Sequence, residues 1–359
     1  PDFPIDAAEW VLPTEAAHGV LPAWLTFALL DEARRVARGA GVPEYRAEIG
    51  GLLARCSKVA SSNPDAWFRT EHTVAEITTP GPANRMVASP YTKFMTAFMD
   101  VDMAAGLLLA THQEADRLGV APEKRVYLRG WAFALDAKHL AARGDLHGSG
   151  AMRVASAEAL RQAGCDADDI SSFDLYSCFS AALGFALDAL GVETKDCSRS
   201  LTRTGGLPYH GGPSSNYLSH SIGYMVEHLR ESPGLMGMTS GVGMHMTKHV
   251  FACYSSEPGV LAPPDYGRLQ ADVERQQPDR VVAASATGQA WIASATTVFD
   301  HQSNPTSVVA VCDLPDGRRA YARSDHPDTI DAFTGGQWAP RVVELRPGPE
   351  QTNLLVCRD

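Results

Sequence analysis

The chain has 359 residues, room for two or three domains of ordinary size. Its 45% hydrophobic and 20% charged content is that of a soluble globular protein. The net charge of −11, with 31 basic against 42 acidic residues and no dense Lys/Arg run, argues against a nucleic-acid partner. No stretch approaches about eighteen uncharged apolar residues, so no membrane span is expected. The seven cysteines are scattered, odd in number and free of any Cys-x-x-Cys pair. A reduced, cytoplasmic protein without structural zinc is the simplest reading. The chain opens on Pro1 and a linker-like Pro-Asp-Phe-Pro-Ile-Asp, which reads as the remainder of a longer polypeptide.

Residues 1–20 are Pro-rich and irregular. Helical spacing of Leu25, Ala28, Leu29, Ala33, Val36 and Ala37 predicts a helix over 22–38, stopped by Gly39 and Gly41. A weaker helix over 44–60 ends at Ser61-Ser62-Asn63-Pro64. Residues 71–99 carry His72, Pro80-Gly81-Pro82, Asn84-Arg85 and Pro90-Tyr91; the apolar run 101–109 reads as a turn entering a buried strand. Strands at 126–135 and 170–175 alternate with helices at 151–163, 180–190 and 217–230. Short strands at 235–239 and 251–255 flank a loop at Gly241. This alternation predicts a mixed α/β sheet covered by helices. After a Pro-rich linker at 257–264 the texture changes to short strands at 290–299, 307–314, 318–322, 342–345 and 353–357. Asp316-Gly317 between two of them is a hairpin turn signal. A small antiparallel barrel follows from that pattern.

Three turns stand out: Asp174-Leu175-Tyr176-Ser177-Cys178-Phe179, Gly205-Gly206-Leu207-Pro208-Tyr209-His210-Gly211-Gly212-Pro213, and Gly241-Val242-Gly243-Met244-His245-Met246. In order and spacing they resemble the C-terminal half of a thiolase, with its Asn-Glu-x-Phe or His-Asp-Cys-Phe, Gly-Gly-x₄-Gly-His-Pro and Cys-x-Gly loops. Asn84-Arg85-Met86-Val87-x-x-Pro90-Tyr91 is similar to a signature of bacterial acetyl-CoA acetyltransferase-like proteins. The barrel resembles the additional C-terminal domain of type-one thiolase-like proteins, and more loosely an OB-type barrel. The resemblance implies a layered α-β-α core, built of the C-terminal half plus a helical loop domain, and a small all-β barrel. It divides the chain into 1–99 (loop domain and connection), 100–119 (closing segment of the N-terminal half), 120–260 (C-terminal half) and 265–359 (barrel).

A Claisen condensation needs a cysteine nucleophile, a base next to a thioester carbonyl and two oxyanion holes. The resemblance implies that Tyr176 stands where the family has an oxyanion-hole Asn or His. A phenol donates one hydrogen bond and, if its pKa fell, would also serve as a base. Gly212 aligns with the family's catalytic histidine, and His210 is the nearest titratable replacement. Gly241 aligns with the second catalytic cysteine. Gly243 matches an oxyanion-hole glycine whose backbone N–H survives side-chain change. Asn216 precedes a helix whose free N–H groups suit a thioester oxygen, and His245 lies beside the third loop. Cys56 does not match the nucleophile's setting, so no nucleophile is assigned.

The implied ligand is an acyl-CoA, met as substrate, with no cofactor and no metal. Arg46, Arg55, Lys58, Arg85 and Lys93 are candidates for the local positive charge such a ligand needs. Catalytically degenerate loops leave three readings: a nominal acetyl-CoA C-acyltransferase, a retro-aldolase acting on a β-hydroxyacyl-CoA, and a non-catalytic acyl-CoA or lipid binder. The helix at 180–190 is apolar on nearly every side, and such a helix is normally buried all round. A second polypeptide carrying the N-terminal half is therefore expected to cover it, with homodimerisation of the whole as a further expectation.

Overall fold

Helix α2 (Ala23–Ala37) is buried along almost its whole length, from Leu25 to Arg35, and everything else is arranged around it. The computed structural model describes residues 10–193, 199–335, 338 and 341–357. Before α2 stands the short α1 (Pro13–Ala17); after it come α3 (Val42–Ser62) and α4 (Val74–Thr78). Two short strands, β1 (Met86–Ala88) and β2 (Tyr91–Thr92), and helix α5 (His112–Arg117) lead to the sheet core.

The core contains β3 (Tyr127–Leu135), α6 (Gly150–Ala163), β4 (Ile170–Asp174), α7 (Ser180–Leu190), α8 (Tyr217–Glu231), β5 (Met236–Gly243), β6 (Lys248–Ser255) and α9 (Tyr266–Gln276). Its four strands run in the order β3-β6-β5-β4; β4 and β5 are parallel and the other pairs antiparallel. Helices α6 and α8 pack on the sheet, and α7 lies beyond α6 against α2 and α3. Because β4 and β5 are parallel, with Asp174 beside Thr239, their carboxyl ends and the loops leaving them lie together. That edge is where α/β sheets habitually bind ligands.

The C-terminal strands are β7 (Gly288–Phe299), β8 (Pro305–Asp313), β9 (Arg319–Ser324), β10 (Val342–Pro347) and β11 (Asn353–Cys357), with α10 (Pro327–Thr334) across one end. Pairing runs β7-β8-β9-β11-β10 and returns from β10 to β7, so the five strands close into a barrel. The expected thiolase-like layered core with a small OB-like barrel is the fold observed.

Four local expectations are corrected. The run 101–109 forms no strand; its backbone is irregular, and Leu108 and Leu109 are 93% and 89% exposed. Gly241 and Gly243 lie inside β5, not in a loop, because β5 and β6 pair continuously from Met236↔Ser255 to Gly243↔Lys248. Residues 266–276, read as the entry to the barrel, form α9, which packs on α6 and β3 through Leu269 and Val273. Helix α7 is buried, but by α2, α3 and α6 of this same chain. It thus gives no reason to invoke a second polypeptide.

The barrel shares a core with the rest. Val309, Val311 and Tyr321 join the cluster that contains α2 and the sheet helices, and β1 adds to β7 through Ala88↔Val298. Charge buried on α2 fixes these contacts. Glu32 accepts two bonds from Arg35 (2.8 and 2.9 Å), one from Ser89 (3.1 Å) and one from the Trp338 indole (3.2 Å). Asp31 accepts from Ser180 of α7 (2.6 Å), Tyr91 (2.9 Å) and Tyr45. Arg34 grips Asp188 of α7 at 2.6 and 2.9 Å. A β-carbon on Gly184 would fall 2.8 Å from that guanidinium, so only glycine admits the approach.

Removing one member of a buried ionic set leaves the others uncompensated, typically at about 3–5 kcal/mol. Glu32→Ala should lose stability in that range by urea denaturation. Asp188→Ala, at a carboxylate 42% exposed, should lose clearly less.

Candidate functional site

Asp174, the last residue of β4, sets the geometry of the loop edge. Its Oδ2 accepts the backbone N–H of Arg203 (2.6 Å) and Thr204 (2.9 Å) and the hydroxyls of Thr202 and Thr204 (both 3.0 Å). The segment before that turn already runs beside β4, Phe173 N–H bonding Ser200 O at 2.9 Å and Leu175 N–H bonding Leu201 O at 3.0 Å. One carboxylate thus docks the start of the 202–213 loop onto the strand that launches the 175–179 loop. Gly205 follows with φ +113°, and a β-carbon there would fall 2.5–2.8 Å from Ala60 of α3. Only glycine allows both that conformation and that approach.

Further polar contacts tie the remaining parts. Ser177 Oγ accepts from Leu207 N–H (3.3 Å), and Ser240 Oγ of β5 accepts from Tyr176 N–H (3.0 Å). Asn63, just past α3, donates to Thr204 O at 2.8 Å. Residues 97 and 98 strap the loops from outside: Ala97 N–H bonds Cys178 O (2.8 Å), and Gly212 N–H bonds Phe98 O (2.8 Å).

These loops wall a cleft of about 840 Å³. Trp24 and Phe27 of α2, Phe179, Leu207 and Val242 make it apolar; Tyr176, Cys178, Gly212 and Ser214 bring polar groups or backbone to it. Arg85 and Lys93 line it from beside β1 and β2, and Phe299, Asp300 and His301 line it from the barrel. A smaller cavity of about 220 Å³ on the other side of Tyr176 is lined by Ser214, Ser215, Gly241, Gly243 and Lys248. Tyr176 and Ser214 border both.

Of the residues singled out in the sequence, Tyr176 and Gly212 therefore border the large cleft, and Gly241 and Gly243 the small cavity. Asn216 caps α8 with its backbone and makes no side-chain cap bond. His210 stands away from the cleft lining. Its ring lies among Tyr217, His220 and Tyr224, with centroids 6.1, 5.3 and 5.8 Å away, and its Nε2 has no partner. His245 faces Glu15 of α1 electrostatically and borders neither cavity. Of the five basic candidates, Arg85 and Lys93 line the cleft, while Arg46, Arg55 and Lys58 belong to α3.

Burial sets the protonation states. It pushes the Tyr176 phenol above its ordinary range, with nearby Cys178 adding to the effect, so the group is a neutral hydrogen-bond donor and not a phenolate base. Burial likewise raises the Cys178 thiol, and it pushes Cys56 up to about 12 with help from Asp174. Neither thiol carries the depressed pKa of an activated nucleophile. Burial and the neighbouring His220 lower His210 to about 4. Beside the β5–β6 turn, burial opposes the charge of Asp136. Arg143 (3.0 Å), His249 (3.0 Å) and Ser149 overcome it and hold the carboxyl well below its usual range. His249 is thereby committed to structure.

Sequence reasoning missed Asp174, Ser240 and the barrel turn at 299–301. Asp174 sits at the head of a singled-out motif but gives no local sign of its acceptor role. The barrel turn reaches the cleft through long-range packing of β7 on α2 and its pairing with β1. Among the described residues no cluster of three or more His, Cys, Asp or Glu side chains is arranged to hold a metal ion, and no helix is long and apolar enough to cross a membrane.

A layered α/β core with its loops gathered at the carboxyl edge of the sheet, followed by a small closed barrel, is thiolase-like architecture. The fold matches an Ltp2–ChsH2(DUF35) aldolase at TM-score 0.54 and 15% identity, covering 72% of this chain and 69% of that one. It also matches the dimeric peroxisomal thiolase of Saccharomyces cerevisiae at TM-score 0.50 and 15% identity, over 71% and 64% of the respective chains. At that identity the likeness is one of fold. A monomeric SCP2-thiolase-like protein type 1 from Mycobacterium smegmatis matches at TM-score 0.88 and 33% identity, over 96% of this chain and 75% of that one. The chain belongs to the SCP2-thiolase-like protein type 1 family. No protein-family model and no curated protein matches it.

The folded value of His210, about 4 against an ordinary 6.5, carries a pH signature. The unfolded chain takes up this proton first as pH falls. The stability tied to a neutral His210 is complete above about pH 6.5 and lost between there and about pH 4. His210→Phe should flatten the acid limb of a Tm-versus-pH profile across that window. An unchanged limb would show that the imidazole is not what titrates.

Proposed function

We propose that this chain binds a coenzyme A thioester in the 840 Å³ cleft and lacks acyl-cysteine chemistry of its own. One observation carries the reading. The only titratable side chains that the three loops contribute to the cleft are Tyr176 and Cys178, and burial keeps both protonated. A neutral phenol donates to a thioester oxygen. A thiol held protonated is a poor nucleophile. The cleft's volume and apolar walls suit an acyl chain with its pantetheine arm. Ser214, which borders both the cleft and the smaller cavity lined by Gly243, is the remaining donor in the proposal. Gly212 and Gly241, which align with the histidine and cysteine of active thiolases, leave the nominal acyltransferase role without its acid/base. Retro-aldol cleavage would need a base at a β-hydroxyl. The three loops bring no free base to the cleft, since Tyr176 is protonated and His210 stands off it, and binding is the role those loops favour.

Calorimetric titration with acetyl-CoA and longer acyl-CoAs should show binding that Tyr176→Phe weakens. Acetoacetyl-CoA thiolysis should be absent, or about 10²–10⁴-fold below a thiolase with its acid/base in place. Aldol cleavage should also be absent. Rapid thiolysis or cleavage would replace this reading with a catalytic one, and no binding at millimolar ligand would end it.

A polypeptide partner carrying the complementary thiolase half is part of the same proposal, now on different ground from α7. Leu108 and Leu109 stand 93% and 89% exposed, beside Leu107 and near the 71% exposed Met99. A contiguous apolar run of this kind marks an interaction surface. Light scattering should find association, through a second chain or a second copy, that Leu108→Asp with Leu109→Asp abolishes. A monodisperse wild-type monomer at every concentration would overturn it.

A further inference from the structure

The hairpin tip between β7 and β8 belongs to the barrel, yet its first residues wall the cleft. Strand β1 pairs with β7 at Ala88↔Val298 in antiparallel register. The tip is fastened in place: Met86 N–H bonds Ser303 Oγ at 3.0 Å, with Ser303 held at φ +67°. Lys93 is fastened to the same spot by its own N–H, which bonds Arg85 O at 2.8 Å. Backbone bonds thus gather three basic side chains, Arg85, Lys93 and His301, at one rim of the cleft, and all three line it.

Asp300 also lines the cleft, but its carboxylate is engaged inside the tip. Oδ1 accepts from Gln302 and Asn304 N–H, both at 2.8 Å, and Oδ2 accepts from the Asn304 amide at 3.0 Å. It braces the turn that presents His301. The Arg85 guanidinium donates one bond, to Met86 O at 2.9 Å, and keeps its other N–H groups for a ligand. The rim is therefore basic where the depth of the cleft, at Trp24, Phe27 and Phe179, is apolar. That polarity suits an amphipathic ligand with phosphate at one end.

Resting on the thioester reading above, we infer that His301 is a specificity-determining residue: with Arg85 and Lys93 it reads the phosphate groups of the CoA moiety. The barrel is then a recognition element of the binding site as well as an appended fold. Phosphate favours such convergent N–H donors by charge-assisted hydrogen bonds, and each exposed contact contributes modestly.

The test is calorimetric titration of the full chain, wild type and variants, with acetyl-CoA, acetyl-3′-dephospho-CoA and acetyl-pantetheine. His301→Ala and Arg85→Ala should each raise Kd for acetyl-CoA about 3–5-fold. Both should leave acetyl-pantetheine unchanged, and His301→Lys should restore affinity. A smaller effect on the dephospho ligand would assign the contact to the 3′-phosphate, and an equal effect to the diphosphate; either result supports the inference. Wild-type binding of acetyl-CoA with His301→Ala unaltered would overturn this inference alone. Equal loss for acetyl-pantetheine would overturn it as well, by making His301 an acyl-arm contact. No binding of any ligand by wild type would remove this inference and the thioester reading together. His301 is exposed, so a thermal melt should report a folded variant in every case.

Discussion

Four charged residues within five positions of one buried helix hold this molecule together. Asp31, Glu32, Arg34 and Arg35 of α2 are each 6% exposed or less; the first three reach different neighbours, and Arg35 pairs with Glu32 on the helix itself. Asp31 reaches the start of α7 and two tyrosines, Glu32 reaches the barrel's Trp338, and Arg34 reaches the last turn of α7. Apolar packing alone would let a smooth helix rotate or slide among these partners. Buried charges accept only the arrangement that pairs all of them, so they fix register at some expense in stability. The cleft inherits that register, because Trp24 and Phe27 on the preceding turns form its apolar wall.

The loop edge separates two jobs that a catalytic site usually combines. The positioning apparatus is complete: Asp174 gathers four donors, Ser177 and Ser240 link neighbouring loops, and residues 97 and 98 strap them from outside. The side chains facing the cleft from those loops are by contrast nearly inert. That division is the one the proposed thioester-binding role calls for. Burial reinforces this, since a low-dielectric site keeps phenols and thiols neutral.

Much of this was legible in the residues, and the failures have physical reasons. Helix α7 could be read to its last residue because Gly191 supplies a left-handed cap (φ +67°) after an apolar run interrupted only by Asp188. The barrel strands were legible through alternation and the Asp316-Gly317 turn. Helix α9 was not, because only Leu269 and Val273 of its eleven residues are buried and its polar face resembles linker. The leucines at 107–109 look like a buried strand because composition reports what a segment would bury, not whether anything covers it. Glycines 241 and 243 mimic loop punctuation while serving in a strand, where Val250 and Leu218 crowd the space a side chain at 241 would take. Tyr176 was found through motif resemblance. His301 lies more than two hundred residues from Lys93, and long-range packing of β7 on α2 and its pairing with β1 bring them together.

Gly212 has an ordinary backbone conformation, unlike Gly205, Gly206 and Gly211 around it. A β-carbon there would meet Phe98 O at 3.3 Å and Leu207 Cδ2 at 3.4 Å, contacts that a few tenths of an ångström relieve. Neither turn geometry nor steric exclusion explains a bare backbone at this point of the cleft wall. An imidazole at 212 would thus demand little of the cleft wall, whereas a side chain at 241 would have to displace Val250 and Leu218.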